Sequence, residues 1–351
     1  MNQSNSANSI TRDNHYLPQY YQRNWSSDGL RICRYRTLVS SEQVPAWDFR
    51  SIKGGGYRRH LYTSTITGID SDALEKWFNR VVEDPALPAI GKILNGQSLT
   101  PEDRRVLTLF TMALEVRTPL SYVQWRERTI SQAEGLLQNT LAKVPQLLKA
   151  AARNGAPRAV STDREPKIPL RVKKEVDKDG YITRLGAELI VGREMWFWSI
   201  RHTLTETIRT VPRPSWMVLR PAKDQEWFTS DQPVLRLGYN SPDNFDFGGG
   251  WGRRGCEVLL PISPQHLLYC KVGNKGGGEV QLGRAQTYEM QRMLALRAWR
   301  EILARQPVSR VERFRPRVIN RDLFRHEEAM WERFHEEQSK GHVLPDSDQD
   351  R

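Results

Sequence analysis

Hydrophobic and polar positions change period several times along this chain. Gly29 to Tyr35 alternate apolar with polar, as a half-buried strand does, and Ser51 to Arg59, with Gly54, Gly55 and Gly56, follow as a loop. From Ser71 to Ala152 the spacing is helical. Thr100, Pro101, Glu102 and Asp103 predict a helix start: a hydroxyl at the N-cap, proline at the first helical position, and carboxylates on the positive end of the dipole. Val106, Leu107, Phe110 and Leu114 then share one buried face. Pro119 disfavours helical geometry at Thr118, so the helix breaks or kinks there and a second one runs to about Ala152.

Residues 153 to 184 carry nine basic and five acidic side chains with little periodicity, which predicts an exposed excursion or hairpin. Glu188 to Arg209 read as helix again, with Trp196, Phe197 and Trp198 in sequence. Beyond Pro212 and Pro214 five short apolar runs (WMVLRP, EWFTSD, PVLRLG, CEVLLPIS, HLLYCKVG) are separated by Pro, Gly and Asp turns, the pattern of short strands. Two helices close the chain, at about Arg284 to Arg305 and Asn320 to Glu337. Helices, then strands, then helices predict an α+β fold, long helices packed on a small, largely antiparallel sheet. The expected organisation is one domain over 14–338, helical over about 71–211, sheet over about 215–283 and closing helices over about 284–337. A disordered start (1–13) and an acidic tail (339–351) flank it.

A chain of 351 residues can bury a sizeable core without cross-links. Its three cysteines, Cys33, Cys256 and Cys270, are odd in number and never paired as C-x-x-C, which argues for a reducing compartment and against structural zinc. With no apolar run of spanning length and no leader-like start, the expectation is a cytoplasmic protein without a membrane partner. The net charge of +12 rests on 40 arginines against 13 lysines, and the arginine fork suits phosphate, so a polyanionic partner is expected. The excess is uneven. Arg292 to Arg325 hold ten arginines and three acids, interleaved with Trp299, Phe314 and Phe324, a composition suited to phosphate contact with base stacking. The expected contact residues are Arg292, Arg297, Arg300, Arg305, Arg313, Arg315 and Arg317; the competing reading is the outer face of an amphipathic helix.

Five segments resemble, in order, an uncharacterised microbial family catalogued as domain of unknown function 4238. They are NHYLPQYYQRNW (Asn14 to Trp25), LEVRTP (Leu114 to Pro119), FTSDQPV (Phe228 to Val234), LLPISPQHLL (Leu259 to Leu268) and VINRDLF (Val318 to Phe324). The resemblance runs from Asn14 to about Phe334 and implies no reaction. Gln232 stands where the family more often has Asn, which keeps the amide and lengthens its reach by a methylene.

Candidate chemistry lies mostly in those segments. His15, among Tyr16, Tyr20 and Tyr21, is a candidate base or metal ligand, or else a cap bonded to backbone. Ser230 and Asp231 end an apolar strand, where an Asp can bind metal or orient a histidine, yet Ser and Asp before Pro also form turns. Arg117 completes the candidate catalytic set and is equally explained as a helix cap. His202 with Glu206 one turn on, and Arg321 with His326 in the R-x4-6-H spacing of some helical ribonucleases, are weaker candidates because such spacings recur by chance. The leading expectation is a nucleic-acid-interacting protein, with a nuclease, metal-dependent or not, as its enzymatic form. A non-catalytic binding or regulatory module and an enzyme for a small phosphorylated or anionic metabolite are the alternatives. A divalent metal is the one cofactor these residue types suggest.

Overall fold

The computed structural model describes residues 10–65, 70–154, 170–176, 182–241 and 244–340. It is an α+β fold with several small, mostly antiparallel sheets. A six-stranded sheet has the order Asn244–Asp246, Leu235–Ser241, Glu257–Ser263, His266–Lys271, Met217–Arg220, Glu279–Gln281, antiparallel except at its last pair. Both faces of this sheet are covered. Along Glu257–Ser263, Val258, Leu260 and Ile262 enter one apolar cluster with the long helices, whereas Leu259 enters a second cluster with Leu294 and Ala295 of the Arg284–Arg297 helix. Period-two alternation therefore feeds two cores, and the run reads as continuously apolar because neither face meets water. Pro261 sits inside this interior strand beside a register shift, where its missing donor is tolerated.

The helical half begins as its sequence predicts. Thr100 accepts from the Asp103 backbone N–H at 3.2 Å, Asp103 Oδ2 accepts from the Thr100 N–H at 2.7 Å, and the Pro101–Val116 helix follows. Arg117 and Thr118 break it, and Pro119–Asn154 continues as a second helix. The excursion contains the hairpin Leu170–Val176 with Ile182–Leu189. Glu188 therefore belongs to a strand, and the aromatic helix begins at Arg193 instead, running to His202 before a π-helical turn, Thr203–Thr207.

The larger correction concerns the closing region. The helix expected to reach Arg305 stops at Arg297, and Glu301–Ala304 is a strand at the interior of a four-stranded sheet of order Trp47–Ser51, Arg31–Arg36, Glu301–Ala304, Thr229–Ser230. Ile302, Leu303 and Ala304 are buried there, so the apolar spacing that mimics a helix face is a strand's contribution to two cores. Strands consequently lie well outside 215–283. A short helix, Ser309–Phe314, precedes the last one, Arg321–Lys340. Of the expected disordered ends, Asp13 opens a strand and Ser339 and Lys340 end the last helix; the rest of 339–351, like 1–9, lies outside the described residues. No described helix is long and apolar enough to cross a membrane.

Candidate anion-binding cleft

The segments singled out in the sequence meet one another. Tyr21 Oη lies 2.7 Å from Thr229 Oγ1 and donates to the Pro261 carbonyl at 2.7 Å, so one phenol joins three of them. Thr118 Oγ1 donates to Gln232 Oε1 at 2.9 Å, the reach the longer amide provides. Arg117, 1% exposed, donates from Nε to the Tyr16 carbonyl at 3.0 Å and from Nη1 to Glu83 Oε1 at 2.7 Å. Burial works against its charge, and Glu83 keeps it fully cationic. Ser230 Oγ donates to the Gln232 carbonyl and accepts its N–H, forming the turn.

Asp231 is committed to the fold as well. Its Oδ1 accepts the Trp299 N–H at 2.9 Å and its Oδ2 the Arg300 N–H at 2.7 Å, holding the bend at which the Arg284–Arg297 helix gives way to the strand. Complete burial pushes its pKa up to about 7, against the pull of those two N–H groups. It also lines a cleft of about 670 Å³ between the four-stranded sheet, the glycine turn and the last helix. His15 is not among the lining residues. Its ring lies 5.5 Å from that of Tyr57, which is, and burial lowers its pKa. Tyr16 connects the sites: its ring lines the cleft and its carbonyl binds Arg117.

Five arginines line this cleft: Arg34, Arg36, Arg58, Arg59 and Arg300. Arg34 and Arg36 are two apart on one strand, hence on one face. Arg34 forks onto both oxygens of Asp48 at 2.9 Å and reaches Glu301 Oε1 at 3.0 Å, while Arg36 takes Asp48 Oδ2 at 2.9 Å. Buried Arg50 meets Glu301 Oε2 at 3.4 Å from behind, and a Cβ on Gly55 would lie 1.8 Å from its guanidinium, so that glycine makes room for it. Burial disfavours the Glu301 carboxylate, but Arg50 and Arg34 more than offset this and hold its pKa below the usual range. From the last helix, Glu327 binds Arg300 at 2.7 Å, and Trp331 lies 5.3 Å under the Arg58 guanidinium. Arg59 is exposed and makes no side-chain ion pair or hydrogen bond among the described residues.

At one end of the cleft His60, Asp70 and His335 bring ligand-type atoms within 4.8 Å of one another. These donor types suit a divalent metal, but their arrangement fits one poorly. The two imidazoles stack at 3.8 Å and 16°, so their in-plane lone pairs lie in two nearly parallel planes instead of converging on one point between the rings. Arg193 can only donate, and its Nη1 is 3.1 Å from His335 Nδ1; a neutral His335 therefore carries its proton on Nε2, the atom facing Asp70 at 3.6 Å. Burial, then His335, pushes the His60 pKa down to about 4. His60 also holds a left-handed φ of 58°, unusual for a side chain of its size.

The remaining candidates scatter. Ser230 is buried beside Asp231, whereas His202 is exposed and stacked on Trp198 at 5.0 Å. Arg321 and His326 lie exposed on the last helix, whose Phe324 and Glu327 line the cleft. Arg292 pairs with Glu289, Arg305 with Glu226, Arg313 with the Tyr288 hydroxyl, and Arg317 with the carbonyls of Glu42 and Val44. Arg315 is half-buried and Arg297 lines a separate, smaller pocket. Arg300 and Arg305 are not on the helix that was to align them with Arg297.

Sequence reading missed Arg34, Arg36, Arg58, Arg59, His60 and His335. Two signals were available: the R-x-R alternation of a strand, and the YRRH run directly after three glycines. Compared with known proteins, residues 13–307 match a family model described as Protein of unknown function (DUF4238). The chain belongs to this family. Neither the curated proteins nor the solved structures contain a match to it. The DUF4238 match takes in every arginine of the cleft and stops short of the helix that closes it, which contributes Glu327, Trp331 and His335.

Proposed function

We propose that this DUF4238 protein binds a small phosphorylated ligand of nucleotide size in the arginine cleft. One observation carries the reading: five arginines from three separate segments converge on a cavity of about 670 Å³ beside the rings of Tyr57, Trp299 and Trp331. That volume falls in the ordinary range of small-molecule sites, about 300–1,000 Å³. Carboxylates behind the wall keep the guanidiniums charged and oriented, so an incoming phosphate meets forks already in place. Of the carboxylates lining the cleft, Glu301 and Glu327 are engaged by arginine, Glu328 lies 3.8 Å from Arg58 Nη1 and Asp231 holds two backbone N–H groups, while Glu332 also faces the cavity; Arg59 is the arginine left to meet a ligand.

Nucleic acid is the second reading, favoured by the net charge of +12. The expected C-terminal contact surface supplies little free charge to it, since Arg292, Arg300 and Arg305 each already hold a carboxylate. Salt dependence separates the two. Titration with ATP and with a short single-stranded oligonucleotide across a salt series should show saturable nucleotide binding. The oligonucleotide should gain no more than the one or two phosphates the cleft holds, a slope of log affinity against log salt of about 0.7 per phosphate. A much steeper slope, with ATP unbound, would transfer the function to an extended nucleic-acid surface.

A further inference from the structure

A second pocket, of about 170 Å³, lies where the Pro101–Val116 and Pro119–Asn154 helices meet the π-helical turn and the end of the Arg284–Arg297 helix. Its charge is unbalanced, as that of the larger cleft is not. Arg128, Arg236 and Arg297 line it against the single carboxylate of Glu115. That carboxylate is spent: Oε1 accepts from Arg236 Nε at 2.5 Å and Oε2 from the Trp251 indole N–H at 2.8 Å. Arg297 keeps a buried Nε with no hydrogen-bond partner and makes no ion pair among the described residues. Its guanidinium lines the pocket without a carboxylate of its own, so an anion entering there would supply the missing counter-charge. Ser199 and Thr203, four residues apart and hence on one helical face, add two hydroxyls to the lining. Thr203 also opens the π-helical turn Thr203–Thr207, a distortion frequent at functional sites.

We infer that this pocket is a binding site for a small tetrahedral oxyanion, phosphate or a terminal phosphoryl group, held by Arg297, Arg236 and Arg128 with the hydroxyls of Ser199 and Thr203. The volume admits one such group and excludes a nucleoside. The site is independent of the arginine cleft, which shares none of these residues. Burial lowers the pKa of Arg297, as expected of a guanidinium awaiting its counter-ion.

The test is a calorimetric titration with inorganic phosphate, ionic strength held constant with chloride. The wild type binds phosphate saturably, and Arg297→Gln weakens that binding by at least about tenfold, or 1.4 kcal/mol, while circular dichroism stays unchanged. Arg59→Gln, which removes the cleft's own share of phosphate binding, leaves the Arg297-dependent site in place. Arg128→Gln, an exposed change at the rim, weakens binding in the same direction and serves as the reading should Arg297→Gln fail to fold. Absence of saturable phosphate binding in the wild type overturns the inference. So does binding that Arg297→Gln or Arg128→Gln leaves at full strength, or that Arg59→Gln abolishes.

Discussion

At the residue scale, the same side chains that look catalytic in sequence turn out to fasten backbone. Asp231 presents two acceptors to two N–H groups, and Asn can supply only one while turning an N–H₂ toward the other. Asp231→Asn should therefore destabilise the fold by about 1–3 kcal/mol, read as a lower urea midpoint, because a buried donor loses its partner. A catalytic role free of structural duty would instead leave the midpoint in place. Titration adds a second prediction. His266 is 6% exposed, its Nδ1 is 2.7 Å from Ser263 Oγ, and burial pushes its pKa down to about 4 from the usual 6.5. The native state thus binds fewer protons than the unfolded one between those values, so the stability this residue contributes is full above 6.5 and is lost as pH falls toward 4. His60 has the same sign and window. Urea midpoints measured from pH 7 to pH 4 should fall less steeply in His266→Gln than in the wild type; equal slopes would mean the ring titrates normally.

At the scale of elements, legibility followed the strength of local chemistry. The helix at Thr100 was readable because its cap, proline and acids act within one turn, and Thr100→Ala should cost about 1 kcal/mol by removing the acceptor for the Asp103 N–H. A chemical-denaturation midpoint unchanged by that substitution would mean the cap contributes nothing. The five apolar runs of the second half were readable as strands for the same reason: Pro, Gly and Asp punctuate them. What the sequence hid was partnership. Thr229–Ser230 ends one apolar run and Leu235–Ser241 follows in the next, yet the two belong to different sheets: Thr229–Ser230 pairs with Glu301–Ala304, Ser230 opposite Ile302 and Thr229 opposite Leu303. Glu301–Ala304 reads as helix because Leu294, Leu296, Trp299 and Ile302 suggest the core face of an amphipathic helix, while the bend that interrupts it depends on Asp231, which no local pattern reveals. Long-range closure of this kind overrides local propensity.

At the scale of the whole molecule, the excess of arginine sorts into structure and site. Arg117 and Arg193 are buried and bonded inside, several C-terminal arginines are paired on the surface, and Arg34, Arg36, Arg58, Arg59 and Arg300 converge on one cleft. Composition registered the excess, and residue spacing pointed to the C-terminal segment because charge is densest there; neither could show that three distant segments share a cavity. The cleft was therefore only partly legible, through Asp231 and Arg300, whereas its principal wall emerged from folding. The most direct test is calorimetric titration of ATP into the wild type and into Arg36→Gln/Arg59→Gln, two positions at which the ligand would meet the wall. The account predicts saturable binding in the cleft of the wild type and at least about a hundredfold weaker binding there in the double variant, roughly 2.7 kcal/mol for two charge-assisted contacts, with the thermal midpoint nearly unchanged. Equal affinity in the two proteins, or no binding in the wild type, would contradict it.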